Sequence, residues 1–312
     1  MSTREEAAPV QSHSPSAKTT PAAMGEGAPP RSVAARIVGR IGSGLMQFAL
    51  IVIGVFWLVP TLGLFIASLR SPADNSASGW WTVFTQPSQL TLRNYAQLLS
   101  NDSFVASFWN TIAITVPSTV IIVVIASLAA YALAWLEFPG RDWLFLAVVA
   151  MLVVPLQIAL IPIARLYGSL GIFGSITGVV LFHVGYGLPF AIFLLRNFFA
   201  AIPRDLLEAA RMDGGREFTV FRRVILPLGG PAIASLTIFQ FLWVWNDLLV
   251  ALVFAGADTQ PMTKALQSQM RQFGANIDVL ASGAFLSLVI PLLVFFAFQR
   301  YFVQGLTAGA VK

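Results

Sequence analysis

A single carboxylate lies within a long apolar stretch of this chain, and the residues around it could contact a polar solute. Asp247 follows Gln240, Trp243 and Asn246 in that stretch. A charge inside a bilayer costs roughly 2.5 to 3.5 kcal/mol on insertion scales, so we expect Asp247 to face a bundle interior or water. Amide and carboxylate groups beside an indole ring suit a solute path. They suit an interhelical polar clamp near the outer membrane surface equally well.

The small number of cysteine, histidine and lysine residues excludes much of the chemistry of soluble enzymes. The chain has no cysteine and only two histidines, His13 and His183, so it offers no thiol nucleophile, no disulfide and no His-rich or Cys-rich metal cluster. None of its lysines follows the glycine spacing of a phosphate-cradling loop. We therefore predict no catalytic residue, no metal site and no bound cofactor. We interpret His183 as an interhelical hydrogen bonder.

Composition places these residues in a membrane. Hydrophobic residues make up 57% of the chain, charged residues 11%, and the mean hydropathy is +0.77, which lies outside the range of soluble domains. A helix needs roughly 20 apolar residues to cross a bilayer, whereas a barrel strand needs about ten. We predict an all-α integral membrane protein with six transmembrane helices at about 45–69, 110–136, 143–164, 172–195, 229–257 and 279–299.

The distribution of charge predicts the orientation. Residues 1–40 are rich in Ser, Pro, Ala, Gly and Thr, so we expect a disordered tail before a membrane domain at 41–312. With the N-terminus inside, 14 of the 19 basic residues lie inside, and those outside are Arg70, Arg93, Arg165, Lys264 and Arg271. This bias predicts cytoplasmic N- and C-termini. The net charge of +5 is then a topology signal and does not indicate nucleic acid.

A polar segment at 196–228 separates the fourth and fifth spans. Within it, Pro203 suits a helix start and Gly214-Gly215 suits a stop, so we predict a short helix at 204–213. Asp205 and Arg211 complement the helix dipole. Glu208 could pair with Arg204 or Arg211.

A second short helix is predicted at 216–224, with Phe218 and Phe221 beside Arg222 and Arg223 and with Pro227 breaking it before the fifth span. The helix pair could pass motion from a bound protein to the membrane helices. Basic residues with interleaved aromatics also suit an amphipathic loop lying on lipid headgroups.

The order of residues in this segment favours the first interpretation. Glu208-Ala209-Ala210, then Gly214, then Val224-Ile225-Leu226-Pro227 resembles the EAA signature of permease subunits in binding-protein-dependent ATP-binding cassette importers, with Val224 where Ile is usual. Segments elsewhere are similar to maltose-type carbohydrate permeases, in particular to the shorter, six-span partner of a two-permease heterodimer. Those segments are Thr91–Tyr95, Leu188–Phe190, Trp245–Asp247 and Gly305–Lys312. The long N-terminal tail departs from the family pattern.

The resemblance implies the type I importer permease fold and a set of partners. These are a second permease, two copies of a cytoplasmic ATPase that binds ATP and Mg, and an extracytoplasmic binding protein, all at a bacterial plasma membrane. It implies that Glu208, Ala209, Ala210, Asp213, Gly214, Leu226 and Pro227 form the ATPase-docking element. It also implies that the C-terminal residues Gln304, Thr307, Ala308 and Gly309 contact the ATPase.

The resemblance further implies a sugar as the solute, a di- or oligosaccharide such as an α-glucoside, with Gln240, Trp243, Asn246 and Asp247 on its path. A glycerol phosphate ester is the alternative solute, which would favour basic residues on the path. A channel or a membrane enzyme is a more distant alternative. A self-sufficient, gradient-driven carrier is disfavoured, because the spans contain one carboxylate and no clear internal repeat is found.

Overall fold

The computed structural model describes residues 33–273 and 277–308, with side chains described over 44–269 and 277–299. This part of the chain is helical and contains no named β-strand. A π-helical turn, Phe221–Ile225, joins α9 to α10. The helices are α1 (Val33–Ser68), α2 (Pro72–Ala77), α3 (Arg93–Leu99), α4 (Asp102–Trp135), α5 (Arg141–Met151), α6 (Leu156–Ser169), α7 (Ile176–Ala200), α8 (Arg204–Met212), α9 (Glu217–Val220), α10 (Leu226–Trp245), α11 (Leu249–Phe254), α12 (Met262–Phe273) and α13 (Ile277–Ala308).

The first helix begins inside the range predicted to be a tail. Residues 33–40 form the first turns of α1. The predicted tail at 1–32 lies outside the described residues. Internal contacts divide the chain within α1 into two units, Met1–Leu58 and Val59–Lys312.

Five helices are long and apolar enough to cross a membrane, and a sixth crossing is formed if α5 and α6 count as one. The all-α membrane class is therefore confirmed. The five helices are Gly44–Ser68, Asp102–Trp135, Ile176–Ala200, Glu217–Trp245 and Ile277–Gln299.

The third predicted span is not one straight helix. The axes of α5 and α6 differ by 99°, and the break lies at residues 152–155. Pro155 has no backbone N–H and disfavours helical geometry at the residue before it. It occupies the N-cap of α6 with extended angles, φ −62° and ψ 131°. The predicted span at 143–164 therefore contains a sharp bend at this proline.

The fifth span also differs from its prediction, because Pro227 does not break the chain. One helical path runs from Glu217 to Trp245 through the π-helical turn. In that turn the N–H of Leu226 bonds to the carbonyl of Phe221, five residues earlier. The hydrogen-bond register shifts immediately before Pro227, where a missing N–H is tolerated. The interruption that the structure does contain lies at residues 246–248, between α10 and α11 and inside the predicted span 229–257.

The main core lies between α4, α7 and α10. Its centre contains the fully buried alanines Ala126, Ala130 and Ala191, and small residues allow helix backbones to approach closely. The same cluster continues to Leu207 of α8 and Val220 of α9. The short helices between α7 and α10 therefore rest on one end of the bundle, which we call the α8 end.

Candidate functional site

The helix predicted at 204–213 is present as α8, which ends at Met212. Asp205 lies in its first turn and Arg211 in its last, so both charges complement the helix dipole. Pro203 is the N-cap rather than the first helical residue, and its backbone is extended. α7 has already ended at Ala200, so the extended backbone at Pro203 lies in the short connection between α7 and α8.

Two glycines close α8 with a Schellman turn. The N–H of Gly214 bonds to the carbonyl of Arg211 at 3.0 Å, and the N–H of Gly215 bonds to that of Ala210 at 3.1 Å. Gly214 has φ +80°, which is costly for residues with a Cβ. A Cβ on Gly215 would lie 2.6 Å from the Ala210 carbonyl oxygen. Both glycines are needed for the turn that was predicted here.

The faces of α8 differ in exposure. Leu207 is 1% exposed and belongs to the main core, and Ala210 is half-buried against the same core. The opposite face presents Glu208 and Ala209 together with Met212, which is 89% exposed. An exposed methionine between charged residues suits a protein surface that another protein covers.

The predicted docking residues do not all lie on that exposed face. Asp213 and Gly214 are exposed next to it, at the end of α8. Leu226 packs against the main core and Pro227 is exposed, both in the first turn of α10. Gln304, Thr307 and Ala308 lie in the last turns of α13, where only the backbone is described, and Gly309 lies outside the described residues.

The predicted pairing of Arg211 with Glu208 is wrong. Arg211 donates from Nε to Oε1 of Glu217 at 3.0 Å and from Nη2 to Oε2 at 3.3 Å. Its hydrogen bond to this carboxylate raises the pKa of Arg211. In the described part of the chain Glu208 forms no ion pair. The Schellman turn reverses the chain and brings Glu217 next to Arg211, which sequence spacing along one helix does not reveal.

Glu217 also accepts a hydrogen bond from Tyr131 of α4. The Tyr131 side chain is buried near the α8 end, where its ring contacts Phe221 at a centroid distance of 5.2 Å. Sequence reasoning missed both Tyr131 and Glu217. The opposite charges of Arg211 and Glu217 on either side of a Gly-Gly turn were the available signal for one of them.

The candidate path residues of α10 separate into different environments. Trp243 is 39% exposed, whereas Gln240 is buried and donates to the Gly187 carbonyl of α7 at 3.4 Å. The amide of Asn246 turns back to the Leu242 carbonyl of its own helix. The structure therefore does not bring these three side chains onto one surface.

Asp247 serves two contacts at the end of α10. Its carboxylate accepts hydrogen bonds from the N–H groups of Val250 at 3.3 Å and Ala251 at 3.1 Å, which caps α11. Its Oδ2 also lies 3.7 Å from Nε2 of His183 on α7. His183 thus contacts the end of another helix, but 3.7 Å exceeds a hydrogen-bond distance, so its assignment as an interhelical hydrogen bonder stays a prediction. The short polar side chains at 246–247 account for the break between α10 and α11.

A cavity of about 10 Å³ adjoins His183 and Asp247. It has the size of one water molecule and is too small for a solute. Nδ1 of His183 and Oγ1 of Thr115 are buried there without a hydrogen-bond partner from the described residues. Its lining consists of Thr111, Ile114, Thr115, Val179, His183, Val244, Asp247, Ala251 and Pro261.

A larger cleft, of about 310 Å³, lies at the end of the bundle opposite α8, between α3, α4, α12 and α13. Its described lining contains no charged side chain, and Leu98 and Phe104 supply part of its apolar surface. Of its amides, only Asn94 belongs to a segment singled out from the sequence, Thr91–Tyr95, and no contact with a solute was predicted for it. The amides are Asn94, Gln97, Asn101, Gln260 and Gln269.

A helical membrane domain that presents a short, glycine-closed helix between its fourth and fifth crossings has the architecture of an importer permease subunit. The chain belongs to the family of binding-protein-dependent transport system inner membrane components, whose sequence model matches residues 32–308. This membership confirms the resemblance inferred from Glu208–Pro227. It also confirms that the chain is a transport permease.

Two similar transport permeases support this membership. The chain is 50% identical over 272 residues to the osmoprotective compounds uptake permease protein GgtD of Synechocystis, covering 86% of this chain and 91% of GgtD. It is 51% identical over 235 residues to the alpha-glucoside transport system permease protein AglG of Rhizobium meliloti, covering 73% of this chain and 62% of AglG.

A solved structure agrees with the fold. A chain of a bacterial ABC transporter involved in the import of the acidic polysaccharide alginate matches with a TM-score of 0.74 and 24% sequence identity, covering 88% of this chain and 100% of that chain. This likeness confirms the predicted importer permease fold.

Proposed function

We propose that this chain pairs with a second permease and forms with it the membrane path for a neutral di- or oligosaccharide. An extracytoplasmic binding protein delivers the sugar, and a separate dimeric ATPase supplies the energy. The observation that carries this proposal is α8, a short helix that exposes Glu208, Ala209 and Met212 and is fixed to the bundle by Leu207. The importing relatives in the same family support it.

The docking element is assigned to the exposed part of α8 and its turn. Glu208, Ala209, Asp213 and Gly214 enter a cleft of the ATPase, with Ala210 permitting close approach. Leu226 and Pro227 support this surface from the first turn of α10. The C-terminal segment 304–309 makes a second contact with the ATPase.

This assignment orients the chain in a bacterial plasma membrane. The α8 end and both termini lie in the cytoplasm, so the amide-lined cleft lies on the extracytoplasmic side. ATP and Mg bind in the ATPase, while this chain performs no covalent chemistry. It binds no metal or cofactor.

A neutral sugar is favoured over a glycerol phosphate ester by the charges near the extracytoplasmic end. Lys264 donates from Nζ to the carbonyl of Ala255, and burial lowers the pKa of this lysine. One of its N–H groups is therefore already bound to a carbonyl of the protein itself. Trp243 is 39% exposed and offers the flat apolar surface that suits a sugar ring.

Transport follows from a shift between two states of the permease pair. When ATP binds, the two ATPase subunits close and draw α8 of each permease inward. The membrane helices then open the path to the binding protein, and hydrolysis returns them to the inward-open state. The binding free energy of ATP drives the change because ATP binds the closed ATPase more tightly.

Co-purification tests the proposal directly. The chain is tagged at its N-terminus, purified in mild detergent and analysed with its partners by mass spectrometry. We expect a second permease and an ATPase. A homogeneous assembly of this chain without an ATPase would overturn the proposal. Uptake is then measured in vesicles that contain the purified assembly and its binding protein. Uptake of maltose or trehalose supports a sugar as the solute, and uptake of glycerol 3-phosphate supports the ester.

A further inference from the structure

Three helices meet at one carboxylate near the α8 end of the bundle. Glu217 begins α9, Arg211 lies in the last turn of α8, and Tyr131 lies near the end of α4. Both Arg211 and Tyr131 donate hydrogen bonds to the Glu217 carboxylate. We propose that these three residues, the Glu217 latch, transmit the displacement of α8 to α4 during transport. This inference rests on the proposed function, since it requires an ATPase that moves α8.

The geometry of the latch resists rotation of α8. Arg211 uses two nitrogens on two oxygens of Glu217, at 3.0 and 3.3 Å, and a two-point contact of this kind fixes orientation as well as distance. Leu207, which anchors α8 in the core, makes apolar contacts without a preferred direction. Leu207 therefore holds α8 on the bundle, while Arg211 and Glu217 determine how α8 turns with it.

Tyr131 extends the contact into the membrane domain. Its side chain is 5% exposed, so its hydroxyl depends on a protein acceptor. The Glu217 carboxylate is that acceptor, and the Glu217 carbonyl oxygen lies 3.4 Å from the same hydroxyl. Tyr131 belongs to the main core with Ile122 and Ala126 of the same helix. A displacement of Glu217 is thus carried to a residue that packs inside the bundle.

The latch is separate from what folds α8. The Schellman turn closes α8 through backbone hydrogen bonds alone, and Leu207 buries its inner face. Arg211 and Glu217 keep 37% and 46% of their side chains exposed, and ion pairs at that exposure add little to stability. Removing the latch should therefore leave α8 formed and docked, and should change how tightly ATP hydrolysis is linked to import.

The test uses the complete assembly of both permeases, ATPase and binding protein in lipid vesicles. The variants are Glu217→Gln, Tyr131→Phe and the exchange of charges Arg211→Glu with Glu217→Arg. The measured quantity is ATP hydrolysed per maltose imported, or per trehalose if the unaltered assembly imports trehalose instead. Glu137→Gln is the matched control, because Glu137 is an exposed acid just after α4 and outside the latch.

We expect Glu217→Gln and Tyr131→Phe to raise the ATP used per sugar at least threefold while the ATPase still co-purifies. The charge exchange should restore part of the ratio, and Glu137→Gln should not change it. An unchanged ratio in both single variants would overturn the latch, as would a raised ratio in Glu137→Gln. Failure of the unaltered chain to bind an ATPase would instead overturn the proposed function, so the two failures are distinguishable.

Discussion

The imidazole ring of His183 lies perpendicular to the indole ring of Trp243, with the ring centroids 5.3 Å apart. Nε2 of the same histidine lies 3.7 Å from Oδ2 of Asp247. One buried residue of α7 therefore contacts two of the four candidate path residues. The contact joins α7 to the segment where α10 ends, and it orients a partly exposed aromatic ring.

Replacement of His183 should impair solute recognition more than assembly. His183→Ala removes the ring that supports Trp243, so we expect KM for the imported sugar to rise several-fold, with a smaller rise for His183→Phe. Initial uptake rates in vesicles measure both. Tyr186→Phe is the control on the same helix, because the Tyr186 ring stacks on Phe182 instead. An unchanged KM in His183→Ala would show that Trp243 is not positioned through this contact.

Replacement of Gly214 should weaken ATPase binding. Alanine at φ +80° is strained by roughly 1 to 2 kcal/mol, and the strain acts on the turn that ends α8. We expect less ATPase to co-purify with Gly214→Ala. Gly140→Ala is the matched control, since Gly140 has φ +83°, has open space around it and precedes α5. Equal loss of ATPase from both variants would contradict the docking role of the α8 turn.

Asp247 should contribute to stability through its cap on α11. Asp247→Ala removes the acceptor for the N–H groups of Val250 and Ala251, and loss of such a cap costs about 1 kcal/mol. Asp247→Asn keeps an acceptor and should retain most of the stability. Thermal unfolding in detergent measures the difference. If Asp247→Asn lowers sugar uptake at normal stability, the charge itself is needed; if uptake is normal, Asp247 acts as a cap.

Truncation of Leu207 should loosen α8 from the bundle. Its side chain is 1% exposed. Replacing a buried leucine with alanine lowers the free energy of unfolding by about 2 to 5 kcal/mol. We expect Leu207→Ala to lower the unfolding temperature and to reduce the bound ATPase. Leu206→Ala, at a neighbouring side chain that is 46% exposed, is the control and should change stability by less than about 0.5 kcal/mol. Similar effects of the two substitutions would contradict the assigned anchoring role.

Local signals were predicted well from the sequence. The predicted range 204–213 differs from the observed α8 by only one residue. The agreement is close because Pro203 and Gly214 restrict the backbone angles at the two ends of the helix. Prolines inside longer elements were less predictable. Pro155 lies at a sharp bend in a predicted span, whereas Pro227 follows a π-helical turn and does not interrupt the helix. Whether a proline breaks a helix depends on how the neighbouring hydrogen bonds are satisfied.

By itself, the sequence determined the class of the protein. Apolar stretches of about 20 residues cross a bilayer as helices, since each helix satisfies its own backbone groups and a barrel strand is only about ten residues long. The motif from Glu208 to Pro227 determined the family. Tertiary structure alone decided the partners of the polar side chains: Arg211 pairs with Glu217 rather than Glu208, Glu217 also accepts from Tyr131, and His183 contacts both Trp243 and Asp247. These contacts join residues that are not neighbours on one helix, and helix packing and one glycine turn bring them together.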